Sequence, residues 1–516
     1  MKLDMNPQFK EAVKLMEKTS QNLFITGKAG TGKSTLLDYF CNKTKKKPVV
    51  LAPTGVAALN VKGQTIHSFF NFYIDVTVEK IRKKDTKPRY PKLYKKLKII
   101  IIDEVSMLRA DLLDCVDVFL RMYGPDAKQA FGGVQMVFVG DLYQLPPVVG
   151  KEERNIFRTL YATPYFFSAE ALKSVPLEVV ELETVYRQKD ERFVGLLNKI
   201  RNNSIEPEDV EELNQRHLPD AESQQEEAFT INLTTTNAKA DEINESHLNA
   251  LDEELHISEA AIRGDFGKEY YPTAINLQFK IGSQIMLLNN DQKKRWVNGS
   301  VGIIEAVECD EDGEEYLRVQ LHDSKKPVYV SPFMWEVYKF SVEKGAIVSE
   351  PAGSFIQYPF RLAWAVTIHK SQGKTFDNVV IDIGRGTFVS GQAYVALSRC
   401  TSFEGIQLKV PIKKQHIRAD PRIYKFLTSH AYKKAAETLS FEDKMSMIKR
   451  AIDGKQKLEM TYLKSNDTKS KRVVIPRTVG EEVYEGYDFP GMLAYCTKRE
   501  EDRMFNVERI LTLQKV

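Results

Sequence analysis

The sequence predicts an α/β protein in which two parallel-sheet domains stand in tandem, and three observations predict it. Short β-branched runs recur without alternation, each followed by turn residues and a helical pattern. They are "NLFITG", "PVVLAPTG", "KIIIIDEV" and "VQMVFVGD" within residues 20–145, then "FTINLTTTN" and "NVVIDIG" beyond 225. Such strands are buried on both faces, as in a parallel sheet covered by helices. A chain of 516 residues is too long for one core, and the gap between the two groups marks a division. Between Gly302 and Tyr358 the texture turns to alternation and tight turns ("IIEAVECDEDGEEYLRVQL"), which marks a small β insertion. The expected organisation is a first domain at 1–175 with a basic insertion near 72–97. A second domain covers 176–301 and 359–412 and is interrupted by the β insertion at 302–358. A polar stretch at 413–440, a linker or a helix, leads to a compact mixed domain at 441–516.

Composition narrows the class. Five cysteines stand far apart with no CxxC pair, which supports neither a disulfide framework nor a zinc site and suits a reducing compartment. The opening "MKLDMNPQFKEAV" lacks a basic stretch followed by an apolar one, and no apolar run approaches the ~18 residues of a membrane span. A cytoplasmic protein without a membrane partner is expected. The net charge of +4 decides little, because a basic nucleic-acid groove is compatible with a balanced whole.

The first strand leads into "GKAGTGKST", in which Gly27 through Ser34 satisfy G-x-x-x-x-G-K-[ST]. Backbone N–H groups of Gly27, Ala29, Gly30, Thr31, Gly32 and the following Thr35 turn can close around phosphate oxygens at a helix start. Lys33 reaches the β- and γ-phosphates, and Ser34 is placed to ligate Mg²⁺. The third strand ends at Asp103, a second metal-holding position, with Glu104 placed to orient or deprotonate an attacking water. Alone, two acids after a strand are equally a solvated turn; beside a phosphate loop they form a site. The fourth strand ends at Asp141 and Gln144. Spacing does not decide whether Gln144 meets the γ-phosphate or is an exposed loop amide.

The order "GKAGTGKST … APTGVAA … TIHSFF … IIDEVSML … FGGVQMVFVGDLYQLPPV" resembles the Pif-type (petite integration frequency) DNA helicases, relatives of RecD within superfamily 1. The resemblance continues through "ETVYRQKDERFVGLLNKIR", "LTTTNAKADEIN", "GSQIMLLNN", "WVNGSVGII", "LAWAVTIHKSQGKTFDNVVIDIG" and "AYVALSRCTSFEGI", over about residues 6–412. It implies two RecA-like domains with ATP and Mg²⁺ between them, a small β-barrel for the insertion, and 5′-to-3′ movement along single-stranded DNA. Duplexes, forks and quadruplexes are the structures such a motor opens in repair, replication or recombination, and a monomer is expected. By the same resemblance Gln8 reads adenine, Arg187 and Arg399 reach the γ-phosphate from the second domain, and Gln372 and Gly373 face ATP. Guanidinium forks suit phosphate oxygens, although a lone arginine is more often a surface ion pair.

For DNA, the resemblance implies Pro53, Thr54, Gly55, His67 and Phe69 in the first domain. Thr236, Asn237, Thr367, His369, Lys370 and Ser371 are the implied contacts in the second. Rings there could stack bases. The stretch "IRKKDTKPRYPKLYKKLK" carries nine basic residues among eighteen with Tyr90 and Tyr94 interleaved, and falls where the family has a wedge near the fork. A solvated linker is the plainer reading. A serine near His369 does not make a hydrolase, because no nucleophile elbow accompanies it.

Residues 441–516 resemble the WYL domain in "MIKRAIDGKQKLEMTYLKS", "KRVVIPRTV" and "LAYCTKREEDRMFNVERI", although "PGMLAYC" lacks the name-giving triplet. Tyr462, Arg472, Arg499, Arg503 and Arg509 fall on ligand-facing positions of that family, which implies a nucleic-acid or small ligand. The alternative is that these arginines and Arg477 pair with the thirteen acidic residues of the segment. The bacterial distribution of WYL domains implies a bacterial source. A different class of reading remains for the whole chain: a DNA-stimulated ATPase, or nucleotide-gated DNA-binding protein, that opens no duplex.

Overall fold

Strands β1 (Asn22–Gly27), β2 (Val49–Ala52), β3 (Gln64–Thr65), β4 (Ile99–Ile102), β5 (Gln135–Val139) and β6 (Leu177–Leu182) form one sheet in the computed structural model. Their order is β3-β2-β4-β5-β1-β6, and every neighbouring pair is parallel. The four isoleucines of β4 are wholly buried near the middle of that order, as an unalternating β-branched run requires. The structure describes residues 5–73, 75–88, 91–150, 157, 159–188, 190–218, 229–322, 324, 326–343, 346–484 and 487–516. Helices α1 (Pro7–Lys18) and α2 (Lys33–Lys43) bury Phe9, Met16, Leu36 and Phe40 against β1, β4 and β5 in one core. The first sheet closes seven residues beyond the expected boundary at 175, because β6 runs parallel to β1 along its whole length. As an edge strand it buries only Val180 and Leu182, which left little sign in the sequence.

The second parallel sheet has the order Ala365–Thr367, Ile231–Thr234, Val379–Asp382, Ile406–Leu408. The insertion between its strands is larger than expected, running from His256 to Leu362 instead of 302–358. It is an open antiparallel sheet (328–330, 315–321, 301–309, 284–287, 360–362) beside the ribbon of 256–259 with 276–279, not a closed barrel ladder. Both share a core around Phe279, Trp296, Tyr358 and Phe360. A separate hairpin, Phe333–Glu343 with Ala346–Gln357, pairs with Ala261–Gly264.

The chain divides into two compact units, Met1–Ile200 with Ile205–Arg418, and Arg201–Ser204 with Ala419–Val516. Of the two readings of 413–440, the helical one holds for most of the stretch: the helix Pro421–Thr438 is started by Pro421 and by Asp420 accepting from the Arg422 N–H. It belongs to the second unit, with the helix Phe441–Asp453 and an antiparallel sheet ordered 501–506, 487–496, 469–484, 458–463, 510–515. No described helix is long and apolar enough to cross a membrane.

Candidate nucleotide and nucleic-acid sites

β1 hands the chain to α2 through a loop in which Gly30 and Gly32 hold φ of +79° and +81°, the left-handed region that glycine enters freely. A Cβ on Gly30 would lie 2.5 Å from the Arg187 Cβ, and one on Gly32 would lie 3.1 Å from the Phe9 ring. The loop is thus walled by α1 on one side and by the "YRQ" segment on the other, where the Tyr186 N–H donates to the Gly30 carbonyl (2.8 Å). Gln8 sits in the first turn of α1 beside Phe9, partly buried. The Lys33 ammonium is turned onto the loop's own carbonyls, Gly27 (2.7 Å) and Lys28 (3.0 Å). Thr31 is buried and donates to the Lys28 carbonyl, while Ser34 and Thr35 are exposed in the first turn of α2.

Asp103 and Glu104 follow β4 directly. Glu104 holds φ +50°, a sparsely occupied region for a residue with a side chain, and its neighbours explain the bend. Gln372 Nε2, from the second domain, donates to Glu104 Oε2 (3.0 Å) and to Gln144 Oε1 (2.9 Å). Tyr394 makes the second crossing: its hydroxyl accepts from the Ala29 N–H (3.1 Å) and donates to Asp141 Oδ2 (3.2 Å). At Gly391 the two domains approach so closely that a Cβ would lie 2.4 Å from the Tyr143 and Gln144 carbonyls. Burial, and next the charge of Glu104, push the Asp103 carboxyl up; burial is also the largest cause raising Glu104, opposed by Lys33. Gly373, exposed at φ +78°, lets the chain leave Gln372 at once.

The two arginines meet the same cleft. Arg187 Nη1 is buried with no hydrogen-bond partner. Arg399 is 1% exposed, and its guanidinium donates to the Val395 (2.9 Å), Lys374 (3.1 Å) and Ser371 (3.3 Å) carbonyls and to Ser398 Oγ (3.0 Å). Burial first, then the charge of Arg187, bring Arg399 down to about 9. Gln188 Nε2 fastens the segment by donating to the Ser398 and Cys400 carbonyls (both 3.2 Å). Buried cations with an orphaned N–H, facing the glycine loop at the start of α2, fit an anionic polyphosphate. Ser34 and Asp103 offer only oxygen, the donor set of a hard divalent cation. Tyr394 and Gln188 were missed in the sequence, because both act only through a crossing between domains.

A groove of about 710 Å³ collects the first-domain DNA block: Pro53, Thr54, Gly55, His67 and Phe69 all line it. Thr54 and Thr65 cap α3 (Gly55–Asn60) and α4 (Ile66–Phe70), accepting from the Ala57 and Ser68 N–H groups. Phe69 is 5% exposed and stands edge-on to Phe70 and Tyr94, so the ring free to stack at this groove is Tyr73, 69% exposed. Burial first and then Arg109 lower the pKa of His67, with Asp111 opposing. The far wall belongs to the insertion: Tyr270 hydroxyl bonds Thr65 (3.0 Å), and a Cβ on Gly55 would lie 1.9 Å from the Glu269 carbonyl. In the second domain Thr236 and Asn237 are exposed at the start of the helix Asn237–Ala250, and His369 and Lys370 are exposed after the strand Ala365–Thr367. Thr367 and Ser371 differ: both are buried, Thr367 Oγ1 accepts from the Lys370 N–H, and Ser371 donates to the Ile368 carbonyl. They shape the turn from within.

In the basic segment, Tyr94 is core and not a base platform: it is 1% exposed, packed on Phe119, and donates to the Phe69 carbonyl. Tyr90 and Arg89 lie outside the described residues. Ile81, Leu93 and Leu97 are buried while Arg82, Lys83, Lys84, Lys87, Lys92, Lys96 and Lys98 are exposed, an apolar side seated on the domain with a basic side outward.

Residues 6–211 match the PIF1-like helicase model, and 443–515 match the WYL domain. The chain is 31% identical to the ATP-dependent DNA helicase Pif1 of Bdellovibrio bacteriovorus, over 82% of this chain and 92% of that one. It is 32% identical to the human ATP-dependent DNA helicase PIF1, over 82% of this chain and 63% of that one. The chain belongs to the PIF1-like helicase family. The crystal structure of Bacteroides Pif1 with ADP-AlF4 superposes with a TM-score of 0.77 at 34% identity, covering 83% of this chain and 97% of that one. The same helicase bound to single-stranded DNA superposes at 0.60, with 84% and 97% covered.

The WYL-matching unit spends most of its arginines internally. Arg472 is 8% exposed, donates to Ser470 Oγ (3.2 Å) and Cys496 Sγ (3.3 Å), and lies over Phe505, whose edge meets Tyr462. Arg477 pairs with Asp502 (2.9 Å) and Arg503 with Glu501 (3.4 Å), while Arg499 is exposed. Arg509 faces a groove of about 450 Å³ with Tyr424, Lys425, Tyr432 and Asn466.

Proposed function

We propose that the protein is an ATP- and Mg²⁺-driven helicase that moves 5′-to-3′ on single-stranded DNA and opens the duplex or fork ahead. The observation that carries the mechanism is Gln372, which holds Glu104 and Gln144 at once and so joins the second domain to the hydrolytic carboxylate. Lys33 and the loop amides take the β- and γ-phosphates, and Arg187 and Arg399 answer the γ-phosphate from the facing wall. Ser34 and Asp103 would hold Mg²⁺, which would supply charge neutralisation for the phosphates. Glu104 orients the attacking water and takes its proton. Loss of the γ-phosphate removes the anion that Arg187 and Arg399 share, so their mutual repulsion and burial favour opening.

The strand would lie along the 53–55 and 67–73 groove of the first domain and the 236–237 and 369–370 positions of the second. Two grips that change separation with each opening produce translocation. The match to a bacterial relative over 82% of this chain and the C-terminal WYL match are in keeping with a bacterial enzyme, which we read as a cytoplasmic monomer, and the exposed lysines of 82–98 support a role at the fork. The C-terminal unit, its arginines largely neutralised, is read as a module for a small anionic ligand or effector at the Arg509 groove. The deciding experiment is unwinding of duplexes carrying only a 5′ or only a 3′ tail. Opening of the 5′-tailed substrate alone supports the proposal; ATP hydrolysis without opening of either would leave the non-unwinding ATPase.

A further inference from the structure

Behind the groove lies a cluster of cations that the nucleotide chemistry does not use. Arg361, on the strand Phe360–Leu362, donates through Nη2 to the Pro272 carbonyl (2.7 Å), and its Nε is buried with no hydrogen-bond partner. Pro272 directly follows the 265–270 segment that forms the far wall of the groove. Lys374 donates to Asn298 Oδ1 (2.5 Å), and Asn298 Nδ2 donates to Asn60 Oδ1 (3.2 Å), at the end of the helix whose first residue, Gly55, lines the groove. The cluster therefore spans from the groove's rear wall to the "IHK" turn, where Lys370 feels the charge of Arg361.

Among the described groups, Arg361 bears on both lysines and Asp241 opposes only Lys370; no carboxylate is set against Lys374. Arg361 and Lys370 are both lowered, each by burial first, and burial then Arg361 take Lys374 down to about 7. Two partly buried like charges, one of them with a buried N–H that has no partner, are costly to hold together unless an anion joins them. We propose that Arg361 and Lys374 form a seat for one phosphodiester of the bound DNA strand, linking the first-domain groove to the second-domain grip. The inference rests on the reading of the protein as a DNA translocase. Lys374 takes up a proton on engagement, because the phosphate restores the charge that burial and Arg361 suppress.

The test uses the full-length protein without nucleotide and a labelled single-stranded oligothymidylate, comparing wild type with Lys374→Met, Arg361→Met and the charge-conserving Arg361→Lys. Lys374→Met is expected to bind about 10- to 100-fold more weakly, the usual reach of one charge-assisted bond. Between about 50 and 200 mM salt, its dependence should be shallower by about 0.7 in log–log slope, one single-strand phosphate. Wild-type affinity should fall as pH rises above about 7, by up to about tenfold per unit, while Lys374→Met stays flat. DNA-free Lys374→Met should melt no lower than wild type, since it loses an uncompensated charge, and Arg361→Lys should keep the wild-type salt slope. Unchanged affinity and slope in both Met variants overturn the proposal. So does a loss that appears only as a raised KM for ATP without DNA, which would hand the seat to a nucleotide phosphate. A wild type that binds no oligothymidylate would instead overturn the translocase reading beneath it.

Discussion

Replacing Arg187 by Met separates what this arginine does for turnover from what it does for the fold. Methionine keeps the Cβ that packs over Gly30 and most of the stem, so the wall of the phosphate loop stays in place. What is lost is a buried guanidinium with one unpartnered N–H, whose pKa burial already lowers. Without nucleotide, removing such a group relieves an unsatisfied buried donor, for which about 1–3 kcal/mol is typical. The variant should therefore melt at the wild-type temperature or up to a few degrees above it, about 1 °C per kcal/mol for a unit of this size. With ATP the sign reverses. An arginine answering the γ-phosphate contributes about 10³–10⁵ in rate, or ~4–7 kcal/mol at 1.36 kcal/mol per decade. The measurements are ATPase rate at saturating single-stranded DNA and melting with and without a non-hydrolysable nucleotide. The expected pattern is a lost kcat, an unchanged or raised nucleotide-free melting point, and a smaller stabilisation by nucleotide. A kcat within about threefold of wild type, far short of a finger's contribution, would refute the assignment. A melting point that collapses together with kcat would refute it too, because Arg187 would then be part of the fold.

Glu104→Gln should bind ATP yet turn over about 10²–10⁴-fold more slowly, the contribution of a positioned base, and near-normal hydrolysis removes Glu104 from that role. Tyr73→Ala should weaken single-strand binding by about 1–3 kcal/mol, one stacked base, whereas Phe69→Leu should chiefly lower the melting temperature; equal effects on DNA affinity would return the stacking role to Phe69. A chain ending at Arg418 should keep DNA-stimulated ATPase and hold DNA affinity within about twofold, since exposed arginines already in ion pairs have little left for a phosphate; a much shallower salt slope would show that the C-terminal unit grips DNA.

The nucleotide loop and both motif strands were legible because each chemistry there demands a residue type at a fixed spacing: two left-handed glycines, Lys33, and acids just past a buried isoleucine run. Boundaries were not. β6 hid as an edge strand with two buried residues, and the strands at 365–367 and 406–408 are three residues each, too short for a pattern. The insertion was placed too late because its first strands, 256–259 and 261–264, are largely exposed and pair with partners at 276–279 and 346–357. Aromatic exposure was not legible. Phe69 and Tyr94 both turn into the Phe70–Phe119 cluster, and the exposed ring at the groove is Tyr73. Ser371 similarly spends its hydroxyl on the Ile368 carbonyl, a local bond that motif resemblance cannot anticipate.

The two ends of the helicase are joined by one physical device used twice. At the nucleotide cleft Arg187 and Arg399 are buried close enough for each charge to work against the other, and at the rear of the groove Arg361 and Lys374 stand in the same relation. Glu104 bears on both arginines of the first pair and Asp141 on Arg399, but Glu104 is held by Gln372 and raised by burial; at the second pair no described carboxylate is set against Lys374. The pairs are also covalently close, since Arg399 Nη1 donates to the Lys374 carbonyl and Gln372 lies two residues before Lys374. An anion at either pair lowers the cost of holding cations together, so phosphate at one end favours the arrangement of the "SQGK" turn that the other end also needs. Coupling of this kind is reciprocal: if DNA tightens nucleotide binding by some factor, nucleotide must tighten DNA by the same factor. Tighter nucleotide binding in the presence of single-stranded DNA is what that linkage predicts, carried by the six residues from Gly373 back to Ile368, a stretch held by the Ser371 bond.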